Sequence, residues 1–549
     1  LIAAVVPHVG TLIFRAARAR AAPIGAALHA ASRRYQRVSL FVAAACFVPV
    51  LVASILYRRP KLNNEFPSDY SYAFGPKRPF APSLARTASG GAYDSRSLAG
   101  SESCGTSGCH KAIYDEWAVS AHRYAAMDPA FQKVQSVMGE QNGPESTRYC
   151  GGCHDPISLF SGTKNIFAAD LTSNAGFKEG VSCVACHAIG ETDVKGNAAY
   201  VISQPQRYLF ELSGGALPRG VSDFLIRAYP RQHVQSLQRK MFKSPEFCAA
   251  CHKQFIDEEI NHVGWVQLQN QYDNWRKSRW NHGKDPRKTI ECRECHMPLE
   301  RSTDAGSGDD LDYNRTPGDG MHRSHRFLGG NQFIPLALKL PGAEEHARLT
   351  EKWLRGEIEI PEIAGKWRRG PAIPVEVMAP ATTKPGAPVT IETVLTNNKA
   401  GHDFPTGPLD IIQAWVEVTV TDQGGGVVFQ SGQRDSANFI APGSFMLKAE
   451  PVDQNGNLID RHNLWEMVGV RYRRSLFPGF SDQQKFTFPC PGAHVTELHV
   501  TARLMYRKAD QYLLNFLFGP KSGITAPVTV VSEDHKTIMV SSGTAASGR

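Results

Sequence analysis

The first 61 residues contain no Asp or Glu, although they carry nine Lys and Arg. The remainder lacks net charge: the other 52 of the 61 basic residues face all 52 acidic ones. A body without excess positive charge argues against nucleic-acid binding. Cysteine outside pairs is scarce, since only Cys46 and Cys490 of the 12 stand alone. Apolar residues are not lacking, and at 42% they exclude global disorder. A length of 549 residues exceeds what one compact core accommodates, which predicts about two to four domains.

Val38 to Tyr57, VSLFVAAACFVPVLVASILY, is 20 residues without a charge, the length of a helix that crosses a bilayer core. Pro49 would kink such a helix, which a membrane tolerates. Six Arg precede the run, and Arg58, Arg59 and Lys61 follow it. That imbalance predicts a cytoplasmic N-terminal side with the bulk of the chain outside. The run is long for the apolar part of a cleaved signal peptide. Residues 1–14 are apolar but too short to span, and residues 15–37, rich in Ala and Arg, read as a cytoplasmic surface segment.

Ten cysteines form five pairs, each followed at once by His. Four have the spacing C-x-x-C-H: Cys150 and Cys153 with His154, Cys183 and Cys186 with His187, Cys248 and Cys251 with His252, Cys292 and Cys295 with His296. The first, Cys104-Gly-Thr-Ser-Gly-Cys109-His110, has four intervening residues. C-x-x-C-H is the attachment signature of c-type haem. Two thiols add to the two vinyl groups on one porphyrin edge, and the adjacent His reaches the iron as proximal ligand. Zinc ribbons and disulfides also pair cysteines, but neither explains a His after every pair. The expectation is five covalent haems c, with the wider first loop bulging to present both sulfurs. Haem attachment takes place outside the cytoplasm, in agreement with the charge imbalance.

Each iron has a sixth position, which a second His closes for electron transfer or which stays open to a ligand. Beyond residue 61, 12 His lie outside the five motifs. Tyr114-Asp115-Glu116-Trp117-Ala-Val-Ser120-Ala-His122 and Tyr272-Asp273-Asn274-Trp275-Arg-Lys-Ser278-Arg-Trp-Asn-His282 read as a repeated helical unit with a trailing ligand. His122 and His282 are therefore candidate distal ligands, with Met127 a weaker alternative. His233 lies in the long gap between the third and fourth sites, and His262 in a more solvated setting there. His322 and His325, just after the last site, are expected to supply one ligand, with His325 preferred. His402, in the tight loop Gly401-His402-Asp-Phe-Pro405-Thr-Gly407, could cap a haem across a domain boundary. His346, His462, His494, His499 and His535 read as ordinary residues.

The repeated C-x-x-C-H, the Tyr-x-x-Trp-x-x-Ser-x-His after the first site and the Gly-His-x-Phe-Pro-Thr-Gly loop resemble multihaem cytochromes c. The nearest group contains the tetrahaem electron acceptor of hydroxylamine oxidation. The resemblance spans about residues 100–335 and, more loosely, 385–440. It implies electron transfer through closely stacked, mostly bis-His haems, with proximal His110, His154, His187, His252 and His296 and with His122 distal. This sequence departs from that group in five sites instead of four, a longer first motif, an N-terminal anchor and a large C-terminal domain.

The expected fold is a multihaem cytochrome c domain of short helices and loops (101–335), then a connecting helical segment (336–371) and a C-terminal antiparallel β-sandwich (372–549). An anchor (1–61) with a transmembrane helix at 38–57 precedes them, followed by an extended linker over 62–100, rich in Pro, Ser and Gly. Glu300 to Asn314, with Asp304, Asp309, Asp310 and Asp312, reads as a solvated loop. Period-two alternation begins near Val375 and recurs at 389–395, 414–420, 426–429, 499–506 and 528–531.

Together these features describe a pentahaem c-type cytochrome in a bacterial inner membrane, with its haem and β domains in the periplasm. It would carry electrons between a membrane quinol-oxidising or cytochrome b-containing complex and a soluble periplasmic cytochrome or other redox protein. Ten haem propionates would add up to about ten negative charges to a neutral body, which suits docking with a basic partner. The alternative is a reductase of a small nitrogen or sulfur oxyanion at one open haem. A third reading is a subunit whose haems chiefly hold its fold.

Overall fold

The computed structural model describes residues 26–56, 61–106, 108–164, 170–283, 285–305 and 318–541. The chain packs as two units, one of residues 1–61 with 207–228 and one of residues 62–206 with 229–549.

The first unit holds the helix Ala26–Leu56 and the amphipathic helix Ala216–Ala228, whose Leu217 and Phe224 are exposed. Among the described residues no helix is long and apolar enough to cross a membrane. The expected span at 38–57 lies only partly within them, since Tyr57 and the side chains of 49–50 and 53–56 fall outside.

In the second unit, residues 62–100 are packed, which corrects the expected extended linker. Phe80, Tyr93 and Leu98 are buried in a core with Phe160, Val184 and Tyr200. Arg86–Thr87 pairs in parallel with Val201–Ile202. The aromatic residues decide this: Phe66, Tyr70, Tyr72 and Phe80 stack on one another, which outweighs the surrounding Pro and Ser.

The four regular motifs sit on or at the end of short helices: Arg148–His154, Cys183–His187, Pro245–Ala249 and Cys292–His296. At 3.6 residues per turn, positions i, i+3 and i+4 share a face, so both thiols and the imidazole are presented together. The first motif breaks this pattern. Its helix ends at Cys104, and the chain returns through the turn Thr106–Cys109, where Cys109 N–H donates to Thr106 O at 2.9 Å. The insertion requires glycine. A Cβ at Gly105 would meet the Tyr114 ring at 2.5 Å, and Gly108 takes φ +77°.

The C-terminal region folds as two sheets. One has the order Ser481–Pro489, Pro388–Thr396, Val375–Met378, all antiparallel. The other runs Gly469–Arg474, Met446–Val452, Gln413–Asp422, Glu497–Arg507, Thr529–Val540, Thr382–Thr383, with Val427–Ser431 also on Gln413–Asp422. Its last pair is parallel. Alternation does the work here: Val416, Val418 and Val420 are buried, as are Leu498, Val500, Ala502 and Leu504. They share one apolar core with Val389, Ile391, Leu395, Phe486 and Phe488 of the smaller sheet.

Candidate haem sites

Motif histidines meet partners from distant parts of the chain. His110 stacks with His233 at 6.2 Å between ring centres, 17° from parallel. His187 faces His325 at 6.3 Å and 19°, and His296 faces His402 at 6.2 Å and 10°. His252 meets His122 at 6.2 Å with the rings nearly perpendicular, at 79°. This recurring separation has a chemical meaning. An iron held by two imidazoles, with bonds of about 2 Å and each nitrogen about 1.1 Å from its ring centre, sets those centres about 6.2 Å apart.

The hydrogen bonds agree. The Nδ1 atoms of His187, His296, His325 and His402 lie 2.9, 2.6, 2.8 and 3.0 Å from the backbone carbonyls of Leu237, Leu328, Arg323 and Asp403. An Nδ1–H donated to a carbonyl leaves the Nε2 lone pair for a metal. Burial, followed by neighbouring imidazoles, lowers the pKa of His122 to about 3. Burial is also the chief cause that lowers His154, His252, His325 and His402 to about 4. Neutral imidazoles are the form that binds metal. The residues present therefore fit haem c: paired thiols, a proximal His and, at four sites, a second nitrogen donor at the bridging distance.

A family profile described as "Cytochrome c554 and c-prime" matches residues 103–188. A solved penta-heme cytochrome c552 from Thermochromatium tepidum is similar over 80% of this chain and 100% of its own, with TM-score 0.50 and 17% identity. The chain has the fold of a multihaem cytochrome c. Two further solved structures match with TM-scores of 0.14: the sporulation control protein Spo0M from Bacillus subtilis (14% identity, 31% of this chain, 50% of that one) and the CARDB domain of the PF1109 protein from Pyrococcus furiosus (9% identity, 30% and 87%). No curated protein matches.

The candidate sites touch in a definite order. The thiols of Cys104 and Cys183 are hydrogen-bonding neighbours, as are those of Cys153 and Cys251 and of Cys248 and Cys292. His187 lies in the field of His110 and His233, His122 in that of His325 and His296, and His252 in that of His296 and His154. The sites of His110, His187, His252 and His296 thus form a row, with the His154 site attached at His252.

His154 is the exception. Its Nδ1 lies 3.2 Å from Ala125 O, leaving Nε2 for a metal as elsewhere. Among the described residues no second imidazole stacks on it. The parallel ring at 4.6 Å is Phe131, which has no donor atom.

Of the remaining candidates, His282 is not brought to any motif histidine. It is exposed on a turn, its backbone N–H donating to Thr289 Oγ1 at 3.1 Å. Two residues more than in the Ser120–His122 segment separate Ser278 from His282, and Trp280 within them is buried beside Trp275, which turns the histidine outward. Met127 Sδ accepts from Arg123 at 2.7 Å. His262 is exposed at a helix C-terminus with φ 59°. His322 is buried against Glu116, at 3.1 Å from both carboxylate oxygens. Asp304 accepts from the Ala112 N–H at 2.6 Å, while Asp309, Asp310 and Asp312 lie outside the described residues. Sequence reasoning missed Glu116, whose partners His322 and His325 lie more than 200 residues away.

Proposed function

We propose that this chain is a pentahaem c-type cytochrome that conducts electrons along a row of four bis-His haems. The four imidazole pairs at 6.2–6.3 Å carry this reading, because a low-spin, six-coordinate iron changes charge with little rearrangement. Haem c would supply the electron-accepting iron. The chain's own residues would hold it: cysteines would fix each ring by thioethers, proximal and distal histidines would cap it, and backbone carbonyls orient the imidazoles of His187, His296, His325 and His402. The apolar run at 38–57 and its flanking Arg support an anchor in the inner membrane with the haem region in the periplasm. That location favours a quinol-oxidising or cytochrome b-containing donor and a soluble periplasmic redox protein as acceptor. Two measurements test the reading. The intact mass should exceed the polypeptide by five haems, and a quinol added to membranes should reduce the haems. A colourless protein, or membranes in which quinol reduces no haem, would refute it.

A second reading is favoured by His154 alone. Among the described residues no second imidazole stacks on it, and a haem with an open sixth position there would suit a reductase of a small nitrogen or sulfur oxyanion, fed through His252. Resting oxidised protein should then show one high-spin haem beside four low-spin ones.

A further inference from the structure

Beyond residue 61 the chain is neutral only as a whole. Of the 52 bases and 52 acids there, residues 207–243 hold seven bases against Glu211 and Asp223, which leaves 45 bases against 50 acids for the rest. Glu211 is moreover already paired with Arg207 at 2.6 Å. The stretch is a basic island in an otherwise slightly acidic sequence.

The same stretch carries the helix Ala216–Ala228, which turns apolar side chains in two directions. Ser222 and Leu225 are buried. Leu217 and Phe224 lie seven residues apart, two turns along another side of the helix, and are 81% and 67% exposed. Gly220 and Ala228, three residues after Leu217 and four after Phe224, continue that side and are exposed as well. The charges of this helix are Arg219, Asp223 and Arg227. An apolar stripe left in water on a helix set within a basic segment is the form of a helix that lies in a lipid interface. The chain's packing assigns this helix to one unit with residues 1–61. Those residues hold the uncharged run 38–57 and nine bases without an acid. That shared unit favours a bilayer over an acidic protein as the occupant of the stripe.

We propose that the helix Ala216–Ala228 lies on an anionic phospholipid surface, with Leu217 and Phe224 in the acyl boundary and the basic residues of 207–243 over the phosphate headgroups. Apolar burial and attraction to the phosphate layer then act together, each on its own set of side chains. This goes beyond the electron-transfer reading, and it requires neither a haem nor a membrane-spanning segment at 38–57.

The test incubates the full-length holoprotein with nanodiscs of phosphatidylcholine, with or without phosphatidylglycerol, and follows hydrogen exchange over residues 216–228 by mass spectrometry. Phosphatidylglycerol is expected to slow exchange there at least tenfold, and high salt to reverse the effect. Leu217→Glu combined with Phe224→Glu alters only exposed side chains, so haem content and the visible spectrum are expected to stay unchanged while the slowing is lost. Equal exchange in both lipids, with the chain still bound to the discs, overturns the proposal and leaves the anchor standing. A protein that binds neither disc overturns both. Slow exchange in phosphatidylcholine alone that survives the double substitution assigns the stripe to another part of this chain. Slowing without lipid that grows with protein concentration assigns it to a second copy. Either result also overturns the proposal.

Discussion

Glu116 accepts a hydrogen bond from the backbone N–H of His325 at 2.7 Å. The same carboxylate takes both its 3.1 Å contacts from His322 Nε2 and lies on the helix Lys111–Trp117, directly after the first haem motif. A residue set by the first site therefore positions the imidazole that faces His187. Glu116→Ala should loosen that loop and turn one low-spin haem high-spin, detectable by EPR and by carbon monoxide binding to the reduced protein. Glu116→Gln, which keeps an acceptor oxygen, should retain the low-spin signal. Each variant should lose about 1–3 kcal/mol of stability from the unmet buried donors.

The four distal assignments predict a sharp contrast among histidine variants. His233→Ala, His122→Ala, His325→Ala and His402→Ala should each convert one haem to five-coordinate, while His282→Ala should change no haem spectrum. An altered spectrum in His282→Ala would show that the exposed turn does not represent that residue's role. The perpendicular pair His122–His252 should give a low-spin EPR signal distinct from the three near-parallel pairs.

Gly105→Ala puts a methyl group into the Tyr114 ring, which lies 2.5 Å from the added carbon. Intact mass should then show a fraction of chains carrying one haem fewer, with the loss confined to the first motif. Adding Tyr114→Ala should restore full loading.

Asp510 caps the helix Gln511–Phe518 through the Leu513 N–H at 2.8 Å, and burial is the main cause that raises its pKa to about 7. A carboxyl raised in the folded state stabilises when protonated. Its contribution is full below the ordinary Asp range, near pH 4, and is lost as pH rises through about 7. Asp510→Asn keeps a cap acceptor and should flatten the melting temperature between about pH 4 and 7 relative to wild type. An unchanged pH profile would remove Asp510 from the account.

How much of this could be read beforehand follows from distance along the chain. Each regular candidate haem motif is encoded within a few residues, because two thiols and an imidazole must share one helical face. The strands at 414–420 and 499–506 were equally legible, since alternation is local. The partners of the irons were not. His110 meets His233, and His122 meets His252, across more than 100 residues, and no local pattern records that pairing. The Tyr-Asp-x-Trp-x-x-Ser resemblance misled at His282, because two added residues bury Trp280 and rotate the histidine away. Residues 62–100 misled through their Pro and Ser content, while Phe66, Tyr70, Tyr72 and Phe80 carried the packing.

His402 belongs to the region of two sheets, yet it faces His296 of the haem region. The haem proposed there would be in effect a clasp between the two regions, which also share one core through Tyr124, Phe333 and Ile334. A chain cut short before the sheets, or one whose halves part, would leave that iron missing a ligand, so its potential would report whether the clasp is shut.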